Sequence, residues 1–588
     1  MPRTSKTVVG LRQANRRLAV AYKWIALSNT SLGSVMAFMN QTIILISLPA
    51  IFHGLGVNPL APGETSLLLW VLMSYNVATT VFLVTFGRLS DNFGKVRFYN
   101  LGFVVFTLGS LMCALTPGTG SSGAAELIAF RFVQGIGGAL LMSNSVAILT
   151  DAFPRSQRGL AMGVNQVVGI SGSVLGLVAG GLLATVNWRL VFLINVPVGV
   201  VGTIWAYLKL RDIGERIPQP LDWLGNITFA VGLLALLSAL TYALLPYGGQ
   251  AMGWSNPWVE AGIAAGVLLL GLFVWIESKV PYPMIQLSLF RIRDFWAGNL
   301  AGFLGSLGRG GLQFLLVIWL QAVWLPLHGV SFAQTPFQAG VDTLPMLAGF
   351  VLAGPIGGAV SDRIGARWIA TGGMVVSAVG FALLATLSAD FSFPIFAVYL
   401  VVLGVGMGMF AAPNTASIMN SVPAKDRAVA SGMRATFMNA ATVMSLAVFF
   451  TMVIGGLSAT LPDSLRSGLV AAGAPPVLAE QLSHLPPAAA LFSALLGYNP
   501  FQAAVPPSVM AGLDPKLAAN LMSPHFFSQL FAGPMTSSLR IVFAAGVVTS
   551  LVAALASALR QSARVEVVPS GVVDSTPRPL PKARPVER

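Results

Sequence analysis

Long apolar runs separated by short polar segments make up most of the chain. A helix needs roughly 20 mostly apolar residues to cross a membrane, and runs near that length occur fourteen times. In chain order they cover residues 24–51, 66–86, 98–116, 124–146, 159–185, 190–208, 222–246, 258–276, 297–324, 337–359, 368–388, 394–416, 428–456 and 539–559. The pattern predicts an all-α polytopic membrane protein with fourteen transmembrane helices, named spans 1 to 14.

The composition excludes a water-soluble protein. Of the 588 residues, 55% are hydrophobic and only 9% are charged, whereas soluble domains carry about 25% charged residues. The single cysteine, Cys113, excludes a disulfide framework and a cysteine metal cluster. The sequence has no phosphate-binding loop, no hydrolase motif and no histidine pair with metal-ligand spacing. We therefore expect neither an enzyme nor a bound cofactor or metal.

The basic residues follow a topological pattern. With the N-terminus inside, the predicted outer loops contain only Arg189, Arg466 and Lys516. The bases within spans are Arg131, Arg309, Arg434 and Arg540. All the others of the 34 lysines and arginines fall in inner segments, as the positive-inside rule requires. The distribution predicts two cytoplasmic termini, and it explains the net charge of +14 without a nucleic-acid partner.

One polar loop occurs twice. Residues 87–94 (GRLSDNFG) and 358–365 (GAVSDRIG) share the pattern G-x-x-S-D-x-x-G. The separation of the copies nearly equals that of spans 1 and 9, which predicts two six-helix halves with spans 7 and 8 inserted. Parallel repeats of this kind are a transporter architecture with the substrate site between the halves. The predicted regions are a basic tail (1–23), an N-terminal half (24–208), an insertion (209–296), a C-terminal half (297–559) with a long outer loop (457–538), and a disordered tail (560–588).

Further motifs point to a family. Span 4 contains Arg131-Phe-Val-Gln134-Gly135, and the segment after span 5 reads Asn187-Trp188-Arg189 and continues to Pro197. Together with the repeated loop, these motifs resemble the major facilitator superfamily, in particular its fourteen-helix drug:proton antiporter branch of multidrug efflux proteins. The resemblance covers nearly the whole chain. It implies secondary-active transport by alternating access in a bacterial inner membrane, by a monomer.

The resemblance gives the repeated loops a gating role, because in the family this loop latches the two halves together. The implied gating residues are Gly87, Asp91, Gly94, Lys95 and Arg97, and Gly358, Asp362, Arg363, Gly365 and Arg367. The glycines allow tight turns, and each aspartate is expected to accept N–H bonds at the start of the next helix. The alternative is that both loops only set the topology.

Polar residues within spans are candidates for a substrate cavity, because charges in the membrane are costly and usually functional. Arg309 is the most informative, since no acidic residue lies near the middle of the membrane to pair with it; the alternative is a structural arginine bonded to helix carbonyls. Arg434 lies nearer a helix end, where it could extend its charge to the membrane surface. The full cavity prediction comprises Asn40, Gln41, Arg131, Gln134, Arg309, Gln313, Asn414 and Asn439.

Proton coupling lacks its usual residue. The branch often has an aspartate in span 1 where this chain has Asn40, so Glu126 and Asp342 remain as candidates, the alternative being solvated carboxylates at helix ends. Span 5 carries a stripe for close helix packing at Gly172, Gly176 and Gly180. The branch has a proline after the second of these glycines, and its absence here weakens the assignment of antiport.

The sequence favours an exporter of lipophilic or amphiphilic small molecules, with protons as the candidate coupling ion. The uncharged span 1 and Arg309 favour neutral or anionic substrates. One alternative is an exporter of an endogenous metabolite or lipid, in which the outer loop passes cargo to an acceptor. Another is a receptor or scaffold that does not transport. The outer loop itself is predicted to hold short amphipathic helices, as a lid or as a weakly structured insertion.

Overall fold

A computed structural model describes residues 4–58, 64–154, 157–213, 222–281, 283, 285–423, 427–505, 510 and 513–561. Within this part of the chain, fourteen helices are long and apolar enough to cross a membrane. The predicted fold class and number of spans are confirmed. Most of the predicted C-terminal tail, from residue 562 on, lies outside the described residues.

The helices follow the predicted order. Spans 1 to 6 lie in Thr4–Leu55, Glu64–Phe93, Lys95–Ala114, Gly120–Ala152, Arg158–Val186, and Leu190–Leu193 with Asn195–Lys209. Spans 7 and 8 are Trp223–Tyr242 and Pro257–Glu277, followed by the 3-10 helix Leu287–Arg291. Span 9 is Arg293–Trp319, extended by a π-helical turn at Leu320–Trp324 and by Leu325–Leu327. Spans 10 to 14 lie in Thr335–Asp342 with Leu344–Ile364, Ala366–Ala385, Phe393–Ser421, Arg427–Ala471 and Pro524–Ala558.

The repeat in the sequence is also a repeat in the packing. Span 1 packs on span 5, span 4 on spans 2 and 3, and span 6 on span 3. The same pairs recur in the second half, where span 9 packs on span 13, span 12 on spans 10 and 11, and span 14 on span 11. Spans 7 and 8 pack on each other, and span 7 contacts span 2. The chain therefore consists of two equivalent six-helix halves and an inserted helix pair.

Small residues allow the long helices to approach closely. Gly172 and Gly176 of span 5 lie against the backbone of Val35 and Met39 of span 1, and Gly180 continues this contact one turn later. A methyl group on Gly172 would lie 2.6 Å from the carbonyl oxygen of Val35. The glycine stripe thus packs one helix backbone directly on another.

The two halves are joined differently at the two ends of the bundle. At the end opposite the repeated loops, here called the bridged end, one buried apolar cluster includes Phe52 of span 1, Trp319 of span 9 and Phe492. Toward the repeated loops, a smaller cluster connects Val81 of span 2 with Met433 of span 13. Three further clusters each belong to one half only. The halves are therefore sealed against each other most extensively at the bridged end.

The segment predicted as a long outer loop is largely helical. Span 13 continues to Ala471 and span 14 begins at Pro524, so both are longer than their apolar runs indicated. The reason is a buried residue at every fourth position, namely Leu461, Leu465 and Leu469 in span 13 and Phe527, Phe531 and Met535 in span 14. The remaining residues, 472–523, are called the bridging segment. Its described helices are Pro476–Ser483, Pro487–Leu496, Pro500–Ala504 and Pro515–Met522.

One helix of the bridging segment occupies the space between the halves. Residues 488–496 are at most 6% exposed, and the helix Pro487–Leu496 contacts spans 1, 2, 13 and 14 and the π-helical turn of span 9. The structure thus differs from the expected amphipathic helix at the membrane surface and from the weakly structured alternative. An apolar helix of this length cannot cross a membrane, and it is buried between the two halves instead.

The glycine stripe yields a test. We expect Gly172→Ala to lower the unfolding temperature of the detergent-purified protein, because overpacking a close contact typically costs about 1–3 kcal/mol. Gly163→Ala in the same helix is the matched control, since no atom lies within 4 Å of its added methyl group. Alanine favours a helix over glycine by about 1 kcal/mol, so Gly163→Ala should leave the temperature unchanged or raise it. Equal shifts for both variants would contradict the packing role.

Candidate functional site

The arginine of span 4 has hydrogen-bond partners from three helices inside the N-terminal half. Arg131 is 1% exposed, and its Nε donates to the carbonyl of Val71 at 3.1 Å. Its Nη1 donates to Gln134 Oε1 at 3.1 Å and to Asn40 Oδ1 at 3.5 Å, while the guanidinium lies 5.1 Å from the ring centre of Tyr75. Three helices, spans 1, 2 and 4, are connected through this one side chain.

The arginine of span 9 has no such partners. Arg309 is partly exposed, and within the described part of the chain no hydrogen bond or ion pair involves it. Its nearest aromatic neighbour is Phe350 of span 10, with the guanidinium 6.0 Å from the ring centre. The alternative of a structural arginine bonded to helix carbonyls is therefore not supported. Gln313, one turn further along span 9, is also partly exposed.

Arg434 of span 13 is incompletely paired. Its Nη1 donates to Met438 Sδ at 2.9 Å, a weak acceptor, and its Nε is buried without a partner. The bond runs toward the next turn of the helix and away from the nearby helix start. The side chain does not extend to the membrane surface as the sequence suggested.

The other predicted cavity residues fall into two groups. Asn414 is buried and accepts a hydrogen bond from Arg560, just after span 14. Burial lowers the pKa of Arg560 to about 10, partly opposed by Asp294. Gln41 and Asn439 are partly exposed. Of the eight predicted cavity residues, four are thus buried within their halves in this conformation, namely Asn40, Arg131, Gln134 and Asn414, and four are accessible, namely Gln41, Arg309, Gln313 and Asn439.

The two repeated loops have the same backbone geometry. Gly94 and Gly365 end their helices with φ values of 109° and 92°, a region that favours glycine. Ser90 Oγ donates to the carbonyl of Gly87 at 2.7 Å, and the equivalent hydroxyl of residue 361 donates to the carbonyl of Gly358 at 2.7 Å. The shared motif therefore encodes one specific turn.

The aspartate of the first loop differs from its predicted role. Lys95 Nζ lies 4.0 Å from Asp91 Oδ1 but 2.8 Å from Asp151 Oδ2 at the end of span 4. The backbone N–H of Val96 donates to Asp212 and not to Asp91. The sequence analysis did not identify Asp151 or Asp212. Each follows an apolar span, on the same side of the bundle as Lys95. These contacts connect the first loop to spans 4 and 6 of its own half.

The remaining loop residues are more accessible. Arg97 and Arg363 are exposed, and the guanidinium of Arg367 lies 4.9 Å from the ring centre of Trp368. The side chain of Asp362 lies outside the described residues. Arg88, within the first loop, donates to the carbonyl of Pro283 at 2.7 Å. The first loop is thereby also connected to the linker that follows the inserted helix pair.

The two candidate coupling carboxylates have different surroundings. Glu126 Oε2 accepts from the backbone N–H of Gly118 at 3.0 Å and so holds a loop. Asp342 is only 3% exposed; its Oδ1 accepts from Gln338 at 2.9 Å, whereas its Oδ2 is buried without a partner. The adjacent Gly340 lies against the backbone of Leu177. Asp342 is therefore close to the contact between spans 5 and 10, where the two halves meet.

The bridging segment holds the halves together through specific contacts. The ring of His53, at the end of span 1, stacks on Tyr498 with centroids 4.6 Å apart, and its Nε2 lies 2.6 Å from the carbonyl oxygen of Leu496. On the other side, Phe492 stacks on Phe450 of span 13 at 5.6 Å. One short helix thus contacts both halves.

The contrast between the arginines predicts opposite effects on stability. We expect Arg131→Leu to lower the unfolding temperature in detergent strongly, because it leaves buried acceptors such as the carbonyl of Val71 without their donor, at about 1–3 kcal/mol for each unsatisfied group. Arg309→Leu should cause no loss of stability, because it removes no hydrogen bond or ion pair found among the described residues. Similar losses for both variants would contradict this assignment.

Comparison with known proteins agrees with this architecture. The sequence profile described as "Major Facilitator Superfamily" matches residues 30–339 and again residues 299–564. The riboflavin transporter RibZ of Clostridioides difficile (strain 630) is 32% identical over 433 residues, covering 73% of this chain and 87% of that protein. The tetracenomycin C resistance and export protein of Streptomyces glaucescens is 29% identical, covering 75% and 78%.

A solved structure shares the fold. The crystal structure of a bacterial homologue of the human lysosomal transporter Spinster, in an inward-facing and unoccupied conformation, covers 92% of this chain and 99% of its own, with a TM-score of 0.54 and 15% identity. Sequence and fold thus agree over both halves. The chain belongs to the major facilitator superfamily and is a multi-pass membrane transporter, not an enzyme.

Proposed function

We propose that the protein exports amphiphilic small organic molecules across a bacterial inner membrane. One observation supports this proposal most directly: the bundle is sealed at one end and has accessible polar groups deep within its spans. The halves share a buried apolar cluster at the bridged end, while Arg309 and Gln313 remain partly exposed near the middle of span 9. The names of the two relatives, which refer to riboflavin and to tetracenomycin C export, support a small organic substrate.

The positive-inside distribution supports an orientation in which the repeated loops and both termini face the cytoplasm. In that orientation the bridged end faces outward, and a substrate would enter from the cytoplasm or the inner leaflet. Release then requires the bridged end to open as the two halves rock. The helix Pro487–Leu496 must leave at least one half during this step, because it contacts both.

Of the two candidate carboxylates, Asp342 is better placed for proton coupling. It lies near the contact between spans 5 and 10, so opening of the bridged end would change its surroundings. Glu126 instead binds a backbone N–H of its own half. We assign the coupling role to Asp342 and a structural role to Glu126.

Flux measurements in proteoliposomes test the proposal. Purified protein is reconstituted with encapsulated neutral, anionic or cationic aromatic probes, with and without a pH gradient. The expected result is movement of at least one class that depends on the protein and is driven by the gradient. Flux of no probe under any condition would favour the alternative of a receptor or scaffold.

The coupling residue has its own prediction. Asp342→Asn should retain downhill flux but lose stimulation by the pH gradient, because asparagine cannot carry a proton. Glu126→Gln is the matched control and should keep the stimulation. Gradient-driven flux in Asp342→Asn equal to that of the unmodified protein would exclude this residue as the coupling group.

Cross-linking the bridging segment to span 1 tests whether their contact must separate during transport. In a background lacking the only cysteine, Cys113, which is buried, the pair His53→Cys and Tyr498→Cys is treated with a short bis-methanethiosulfonate, which links the two thiols through reducible disulfides. The two native rings lie 4.6 Å apart, so the cross-link should keep the bridged end closed and abolish flux, with recovery after reduction. Each single-cysteine variant serves as a control for modification alone. Full flux through the cross-linked protein would show that this contact need not separate.

A further inference from the structure

We infer that Arg309 and Arg434 form a binding site for an organic anion along the contact between spans 9 and 13, a conclusion that rests on the proposed transport function. The ligand would carry a carboxylate, sulfonate or phosphate group on an apolar body. The inference depends on the incomplete pairing of these two guanidinium groups and on the absence of any acidic residue beside them in the sequence.

Arg131 provides the comparison, because it is an arginine within a span whose hydrogen bonds are made inside the protein. Arg131 donates to three oxygen acceptors and is 1% exposed. Arg309 and Arg434 have only one acceptor between them among the described residues, the sulfur of Met438. Because an unpaired charge in the membrane is costly, two such groups on adjacent helices indicate that the missing partner is supplied from outside the chain.

The sequence places no acidic residue within seven positions of Arg309 or of Arg434. Residues 295–341, 343–361, 393–425 and 427–462, which include most of spans 9, 10, 12 and 13, contain no aspartate or glutamate. The two single acidic residues that interrupt these ranges lie away from both arginines along the chain: Asp342 accepts a hydrogen bond from Gln338, and Asp426 precedes span 13, eight residues before Arg434. The same is true of residues 24–63, 65–90, 127–150 and 157–186 in the N-terminal half. Near the middle of the membrane, these helices thus carry positive charge and no acidic residue in the sequence. A ligand bound among them would need to provide the negative charge.

The packing puts both arginines along one helix contact. Met438, which accepts the bond from Arg434, has its methyl group 3.2 Å from the position of a Cβ on Gly302 of span 9. Gly302 and Arg309 are separated by two helical turns and lie on nearly the same face, which corresponds to about 10 Å along the helix. A ligand of aromatic size can extend over that distance.

The neighbouring side chains suit an apolar body. Phe350 lies beside Arg309, and Met438 lies beside Arg434. Aromatic rings and thioethers make adaptable contacts with flat apolar groups. The chemistry therefore fits an amphiphilic anion, whether it is a free aromatic acid or the phosphate headgroup of a lipid.

Binding to the purified full-length protein in neutral detergent tests the inference. The probes share one ring system and differ in charge: 1-naphthaleneacetate, 1-naphthaleneacetamide and 1-naphthalenemethylamine. Calorimetry should show the anion binding at least about tenfold more tightly than the amide, because charge-assisted hydrogen bonds are roughly twice as strong as neutral ones. Tighter binding of the amine, or equal binding of all three, would overturn the inference.

Variants locate the site. Arg309→Gln and Arg434→Gln should each weaken binding of 1-naphthaleneacetate by about tenfold and leave binding of the amide unchanged. Arg540→Gln is the matched control, because Arg540 is also within a span and interacts with the carbonyl of Leu387; it should leave anion binding unchanged. Unchanged anion affinity in both Arg309→Gln and Arg434→Gln would place the anion elsewhere and overturn the assignment.

Competition with an anionic lipid distinguishes a free aromatic acid from a lipid phosphate as the occupant of the site. Adding phosphatidylglycerol to phosphatidylcholine vesicles should not displace 1-naphthaleneacetate if the occupant is a free aromatic acid. Displacement that depends on Arg309 would support the anion site and identify the occupant as a lipid phosphate.

Measuring flux of the same three probes distinguishes failure of the anion site from failure of the proposed export function. Flux of the amine, together with tighter binding of the amine than of the anion, would overturn the anion site while leaving export intact. Binding of the anion that depends on both arginines, without flux of any probe, would support the site while contradicting export.

Discussion

A guanidinium group buried in the membrane without partners is costly, and the number of partners available to such groups differs between the two halves of this transporter. In the N-terminal half, Arg131 is bonded to a carbonyl of span 2 and to side chains of spans 1 and 4. Gln134 extends the network to Ser110 of span 3. Four helices are therefore held in register by one connected set of hydrogen bonds. In the C-terminal half, Arg309 and Arg434 have no comparable set, although the same helix pairs are in contact.

This difference in charge pairing occurs within nearly identical backbone architecture. Both halves use glycine to bring their first and fifth helices together: Gly172 lies against Val35 in one half, and Gly311 lies against Phe449 and the carbonyl of Ser445 in the other. Both loops end a helix with a glycine of positive φ. Because the backbone repeats and the polar side chains do not, the two halves can have separate tasks. The N-terminal half is rigidly bonded, and the C-terminal half presents the unpaired charges.

The sequence predicted those features that depend on local patterns. Fourteen spans follow from apolar length, and the two halves follow from the repeated loop, which fixes one turn through Gly94 and Gly365. Features that depend on contacts between distant segments were not predicted. Asp212 binds the N–H of Val96 across more than a hundred residues. The helix Pro487–Leu496 is buried only because five spans surround it, and no local pattern distinguishes such a helix from one at the membrane surface.

In the proposed transport cycle, charge compensation and the seal at the bridged end act on the same movement. When the halves close around a central site, water leaves it, and an unpaired guanidinium then loses its solvation. An anion between Arg309 and Arg434 would replace that solvation with charge-assisted hydrogen bonds, so closure with the anion costs less than closure without it. The helix Pro487–Leu496 adds an apolar contact that must be broken before release. The anion would then bind first and the bridged end would open second, because the bound anion lowers the cost of the closed state that precedes opening.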